Sequence, residues 1–316
     1  MIGLLWGLFL GLAAGTIIAV AALFGVWAER KIAGRIQLRY GPQEAGPFGL
    51  LQTLADTVKL MLKEDITPDT ADRLLFKVAP LIVFVPVAIS MVIIPFWNGW
   101  APLDTSVGLL FYLAIPSLSV IGILVAGWSS HNTLATLGGL RGAAQMISYE
   151  LPRTISVLAV VLLAGSMRPT TVLAAWRWWW IPLLLISMVV FFISSIAELN
   201  RGPFDLAEAE SELVAGYFAD YSGIRWSIFM MVEYGGMLIG GLFIGAVFLG
   251  IPAWLPGWWG VFGLIAAVCV TTVLMMWVKW TFPRMRQDQL MSFAWKVLTP
   301  LALVQLLIVG LVIPWL

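Results

Sequence analysis

Six carboxylates crowd residues 197–221, AELNRGPFDLAEAESELVAGYFADY: Glu198, Asp205, Glu208, Glu210, Glu212 and Asp220, against the single Arg201. Carboxylates packed in a poorly solvated place raise one another's pKa through desolvation and like-charge repulsion, which moves proton uptake and release toward neutral pH. That is the chemistry of a proton relay. Phe204, Leu206, Leu213, Val214, Tyr217 and Phe218 alternate with the acids, so an enclosed acidic cluster is expected, with a solvated acidic loop as the plainer alternative. Pro203 suits the first turn of a helix, and a helix begun there would set Asp205, Glu208 and Glu212 on one face and Glu210 on another.

The elements that must position these acids are membrane spans. Only 11% of the 316 residues are Asp, Glu, Lys or Arg, 61% are hydrophobic and 17 are Trp, whereas soluble domains average about 25% charged. Mean hydropathy is +0.96. Runs without charge, each near the ~20 residues needed to cross the hydrocarbon, predict eight spans, near 2–27, 75–97, 107–129, 145–167, 179–198, 227–249, 258–279 and 296–316. The first run has no positive leader segment before Arg30 and is expected to be a retained span. The expected fold is an all-α integral membrane protein of one polytopic domain, 1–316, with inner loops at about 28–74, 130–153, 199–226 and 280–295.

Those loops, with the adjoining span ends, hold 16 of the 18 basic residues. The positive-inside rule then makes that side cytoplasmic and puts both termini outside. Sixteen of the 17 acids lie on the same side, Asp104 being the exception. Function is therefore sought on the inner face.

Three carboxylates belong to the spans themselves. The charge-free core of the fourth, Thr154 to Met167, is too short to cross, so its helix must include QMISYELPR and carry Glu150 and Arg153 into the membrane edge. Glu198 ends the fifth span and Glu233 lies near the start of the sixth. Intramembrane acids cost on the order of 2.5–3.5 kcal/mol on insertion scales and commonly mark ion or proton paths. Snorkelling at a helix end is the bland alternative.

In the first inner loop, AERKIAGRIQLRYGP sets Arg30, Lys31, Arg35 and Arg39 beside Glu29, a cluster that topology anchoring and anionic lipid would also explain. GPFGLLQTLADTVKLMLKE follows, with Leu51, Leu54, Val58 and Met61 opposite Gln52, Asp56, Lys59 and Lys63. That is an interfacial amphipathic helix, whose Asp56–Lys59 spacing also fits simple intrahelical pairing. One Cys and one His cannot ligate an iron–sulfur cluster or a bis-histidine haem. Electron transfer, if any, belongs to a partner. No internal repeat or basic nucleic-acid footprint is present.

AERK…LRYGP…GPFGLLQTLADTVKLMLKE, GLRGAAQMISYE, AELNRGPFDLAEAESELVAGYFADYSG, VEY and PRMRQDQLM…WK, in this order, resemble the quinone-site membrane subunit, the H subunit, of the proton-translocating NADH:quinone oxidoreductase, respiratory complex I. The resemblance covers nearly the whole chain and implies eight spans. It implies a non-redox subunit of that translocase in a bacterial inner membrane. Such a subunit walls the chamber where quinone, the substrate, is reduced, and passes the coupling to protons along an acidic channel. By the same resemblance, Glu29, Arg30, Arg39, Asp56, Arg201, Phe204, Arg284 and Arg286 would line or rim the chamber. Glu150, Glu198, Asp205, Glu208, Glu210, Glu212, Asp220 and Glu233 would form the proton path, with Arg201 beside it. Partners implied are the peripheral-arm subunits with the terminal iron–sulfur cluster, which together with flavin stays outside this chain, and the other membrane subunits.

The chain departs from the family pattern at Asp220, where Glu is usual, at Gln287, where an aromatic is usual, and at Gly142, where Ala is usual. The membrane subunit of energy-converting hydrogenases shares the Pro-Phe-Asp neighbourhood and is a second family implied. A free-standing proton-coupled transporter is a third reading, although charge gathers at one face rather than at the midplane that such carriers use.

Overall fold

The computed structural model describes every residue except Met1, Asn98, Gly99, Ala209 and Leu316, and of the remainder leaves the side chains of Ile2, Leu4, Glu210 and Ser211 undescribed. Eight helical stretches are long and apolar enough to cross a membrane, Leu5–Ile36, Arg73–Met91, Gly108–Ser129, Thr133–Ala164, Trp180–Glu198, Gly223–Phe248, Trp258–Thr281 and Gln287–Trp315. The chain is an all-α integral membrane protein.

The helices are α1 (Ile2–Ile36), α2 (Leu51–Leu62), α3 (Arg73–Met91), α4 (Gly108–Ser129), α5 (Thr133–Ala164), α6 (Pro169–Ala175), α7 (Trp180–Glu198), α8 (Glu210–Leu213), α9 (Gly223–Phe243), α10 (Ile251–Trp254), α11 (Trp258–Thr281), α12 (Gln287–Phe293) and α13 (Thr299–Val312). Two π-helical segments, Ile244–Phe248 and Ala294–Leu298, continue α9 and join α12 to α13. Helix α2 is the amphipathic helix of the first inner loop, with Leu51, Leu54, Val58 and Met61 all exposed along one side.

Sequential packing of α3 on α4, α4 on α5 and α5 on α7 makes one wall, and α9 closes it by meeting α1, α3 and α11. An aromatic core at the charge-poor end holds Trp176, Trp180, Phe191, Phe243 and Phe248. A second cluster, with Phe76, Tyr217, Phe218, Tyr221 and Phe229, lies under the acidic segment, and a third, with Tyr149, Phe204, Met237 and Leu290, lies beside it. The stretch around Asp205 and Glu208 therefore sits among three apolar clusters, whereas Glu212 is exposed.

Three expectations from the sequence need correction. The loop expected at 130–153 is helical from Thr133, since Asn132 caps α5 by accepting from the Leu134 N–H, so the helix takes in the expected QMISYELPR and about three further turns before it. The loop expected at 280–295 likewise turns helical at Gln287. No helix begins at Pro203: residues 201–208 are irregular and only the single turn of α8 follows. The Phe204 N–H donates to Arg201 O at 2.8 Å and the Leu206 N–H to Phe204 O at 3.1 Å, a succession of tight turns that competes with the helical ladder.

Candidate functional site: a carboxylate cavity under a buried ion-pair cluster

The acidic segment is fastened by one face of α5. Arg141, Gln145, Tyr149 and Arg153 recur every four residues, so they form a row along the helix. Arg141 Nη1 meets Glu212 Oε2 at 2.7 Å. The buried Gln145 amide donates to the carbonyls of Ala197 and Phe204, both at 2.7 Å, clamping the first part of the segment. Tyr149 Oη donates to Leu290 O at 3.0 Å, and Arg153 pairs with Glu198. Small residues let the segment lie this close. Gly216 has φ +60, and a Cβ there would collide with the Ala207 carbonyl. At Gly142 an added methyl would sit 3.0 Å from the Ala207 Cβ, which is the packing consequence of glycine at that position.

Arg201 is the centre of the charged cluster. Its side chain is fully buried, bonded to Glu29 and Met237, ion-paired to Glu233 and laid 5.1 Å from the Tyr234 ring centroid. Burial alone would lower its pKa, but the two carboxylates outweigh that and hold it above its ordinary value. Lys279 Nζ completes the cluster at 2.7 Å from Glu29 and 3.9 Å from Glu233, and Tyr234 Oη donates to Glu29 at 2.7 Å. Two anions and two cations thus balance, as burial of charge demands.

Toward the loop surface, Arg30, next to Glu29, pairs with Asp56 of α2 at 2.7 Å, and Lys59 stands 3.7 Å from the same carboxylate. Burial raises the Asp56 pKa, but Arg30, Lys59 and Gln52 together outweigh it and the net shift is downward. Asp205 meets Arg284 at 2.7 Å, yet its pKa is raised, because burial exceeds the help from that guanidinium.

Below the cluster lies a cavity of ≈ 70 Å³ whose wall includes Glu198, Glu208, Glu233, Arg153, Tyr112 and Tyr217, with Ser90, Ser119, Ser195 and Asn200 among the polar remainder. At about 10–15 Å³ per water by that measure of volume, several waters fit, and the wall offers the partners they require. Glu208 has no cation in contact among the described residues. Its pKa is pushed well above the carboxylate range, by burial first and then by the charges of Glu233 and Asp205. Burial also pushes the Tyr217 hydroxyl up and that of Tyr221 to about 12. Tyr221 lies 3.4 Å from the Ser129 hydroxyl.

Residues 10–310 match the family described as NADH dehydrogenase. The chain is similar to the NADH-quinone oxidoreductase H subunit of Geobacillus kaustophilus (strain HTA426), 46% identical over 98% of this chain and 95% of the relative.

The chain belongs to the family of NADH-quinone oxidoreductase H subunits.

Other members are similarly close: the H subunit of Bacillus thuringiensis (strain Al Hakam) is 47% identical over 96% of this chain and 94% of its own. That of Dehalococcoides mccartyi (strain CBDB1) is 42% identical over 92% and 82%. Family membership makes this chain a membrane subunit of a complex I type enzyme and disfavours the hydrogenase and transporter readings.

Within this H-subunit fold the expected site residues separate into groups. Glu29, Arg201 and Glu233 meet in one cluster, Glu198, Glu208 and Glu233 share one cavity, and Arg30 with Asp56 stands at the first-loop side. Phe204 is buried, 5.5 Å from Tyr149 between ring centroids. Glu212 is exposed and held by Arg141. Asp220 accepts from Asn132 at 3.2 Å, and its carboxylate does not line the cavity. Glu150 is half-buried on α5, makes no ion pair among the described residues, and also stays out of the cavity wall. Arg39 and Arg286 are exposed, Arg39 donating to Gln37 at 2.8 Å. The side chain of Glu210 lies outside the described residues. Sequence reasoning did not assign Arg153, Lys279, Tyr217 or Tyr234 to the site. A lone arginine inside a span, three residues after Glu150, was the available signal for Arg153, since such a charge needs a buried partner.

Proposed function

We propose that this chain forms, with the peripheral-arm subunits, the wall of the quinone chamber of a complex I type NADH:quinone oxidoreductase, and converts quinone reduction into proton movement through its carboxylates. In this reading the whole chain acts as one membrane domain with its charge-rich loops in the cytoplasm of a bacterial cell and both termini outside. The single observation that carries the reading is that the Glu29–Arg201–Glu233 cluster shares Glu233 with the cavity lined by Glu208 and Glu198, with the Arg30–Asp56 pair beside it, next to Glu29 in sequence.

Glu29, Arg30, Asp56, Arg201 and Phe204 then face or support the chamber, with Arg39, Arg284 and Arg286 at its exposed rim. Glu198, Asp205, Glu208 and Glu233 line the proton path, and Glu150, Glu210, Glu212 and Asp220 are assigned to it by the family resemblance. Flavin and iron–sulfur clusters belong to partner subunits, and quinone is the substrate. Two-electron reduction leaves negative charge in a chamber of low dielectric, where charges interact far more strongly than in water. A carboxyl already biased toward its protonated form, as Glu208 is, answers such a charge by taking up or passing on a proton. The energy step is electrostatic.

The test uses the assembled complex in inverted membrane vesicles, with Glu208→Gln and Glu233→Gln. Assembly with NADH:quinone turnover and proton pumping lowered about a hundredfold, the low end for a lost proton-transfer group, is the expected result. Normal turnover and pumping in both variants would remove the acids from the path.

A further inference from the structure

The cavity's three carboxylates are not equivalent. Glu233, on α9, is paired with Arg201, and Lys279 stands 3.9 Å away. Glu198, at the end of α7, is paired with Arg153 of α5. Glu208, in the irregular segment between α7 and α8, has neither. Among the described residues the other titratable groups in the wall are Arg153, Tyr112 of α4 and Tyr217 of the turn after α8, and Asp205, Lys279 and Arg201 act on Glu208 from beyond it.

Arg153 is built in with some care. It is 5% exposed, and its guanidinium carbon stands 5.5 Å from the centroids of both Tyr112 and Phe191. Nη2 donates to Tyr112 Oη at 3.4 Å and Nη1 is given to Glu198. Two aromatic faces, a hydroxyl and a carboxylate hold the arginine in place, and with it the glutamate it pairs. A guanidinium stays charged at every accessible pH, so this anchor does not itself titrate.

We propose that Arg153 is a positioning residue that ties Glu198 down as an immobile anion, so that Glu208 is the one carboxyl in the cavity free to exchange a proton. The proposal rests on the reading of the cavity as a proton path, and extends it by assigning unequal roles to its acids. Freed of Arg153, Glu198 becomes a second exchangeable carboxyl facing Glu208 and Glu233. The cavity then holds one proton in two places.

The test compares Arg153→Met, Arg153→Lys and the double variant Arg153→Met with Glu198→Gln in the assembled complex, by native gel, pH–rate profile of NADH:quinone turnover, and protons pumped per turnover. In Arg153→Met the alkaline limb of the profile is expected to shift by about one pH unit, the size of a nearby-charge effect, and pumping per turnover to fall several-fold. Adding Glu198→Gln restores the wild-type limb and at least half of the pumping, and Arg153→Lys retains both.

An unchanged profile in Arg153→Met overturns the proposal, as does failure of the double variant to recover. If Arg153→Met does not assemble, the double variant decides: removing both members of a buried pair is tolerated far better than removing one, so an assembled double variant with a wild-type limb supports the lock and an unassembled one refutes it. A wild-type complex without quinone reductase activity would instead sink the functional reading itself.

Discussion

Replacing Arg201 with methionine keeps most of the side-chain volume, removes the charge, and leaves Glu29 and Glu233 with Lys279 as the one cation in reach among the described residues. The cluster passes from balanced to one net negative charge in a site where the arginine side chain is fully enclosed. Removing one partner of a buried pair costs about 3–5 kcal/mol, and the lost contact with the Tyr234 ring adds about 0.5–2 kcal/mol. Proton uptake by one glutamate recovers part of this, at about 1.4 kcal/mol per pH unit of displacement. A net cost near 3 kcal/mol is on the order of a hundredfold in the population of the correctly closed segment. The assay is the yield of assembled complex on native gels together with quinone turnover at pH 7. The second arm adds Glu233→Gln, which restores neutrality, and should recover at least a third of the assembled complex. Arg201→Met assembled and active within twofold of wild type would refute the reasoning, and so would a double variant whose defect is the sum of the two single ones, since contacting charges must couple.

Three more outcomes are expected. The alkaline limb of turnover should disappear in Glu208→Gln: the folded-state pKa is raised, so the proton is held to higher pH than an ordinary glutamate holds it and is lost as pH climbs through the raised value, and a neutral amide has nothing to lose. Asp56 has the opposite sign, a lowered pKa, so its hold on Arg30 is complete above its ordinary value of 3.8 and fades as pH falls through the lowered one; acid should release α2 to protease, and Asp56→Asn should release it at all pH by no more than about 1 kcal/mol, the size of a partly exposed pair. Gly216→Val should abolish assembly, because a side chain is strained at φ +60 and would strike the Ala207 carbonyl, whereas Gly142→Ala, needing only a small adjustment, should assemble normally.

The eight spans are legible because absence of charge over about 20 residues is a one-dimensional signal, and the amphipathic α2 because its two faces differ in kind. The site is legible by residue type and only partly by placement. Pro203 reads as a helix start because local propensity is the only information at that position; the Gln145 amide, 52 and 59 residues from the carbonyls it grips, decides otherwise. Arg153 is visible as a charge in a span, but its partner Glu198 is 45 residues distant, beyond any periodicity. Glu150, on the same helix and equally conspicuous in sequence, is half-buried and does not line the cavity although Met146 and Arg153 do, a difference that spacing alone does not reveal, since positions three and four apart share a helix face.

The four-residue row on α5 has a mechanical consequence. Arg141, Gln145, Tyr149 and Arg153 reach α8, the acidic segment, α12 and α7 respectively, so a single rod about 18 Å long between its first and last tooth sets the phase of four otherwise separate pieces. One extra residue anywhere between 141 and 153 would swing every tooth beyond it by about 100° and unseat them together, while four extra residues would leave their bearing nearly intact but displace them by about 6 Å. The acids keep their places through the pitch of a neighbouring helix, and not through any regularity of their own.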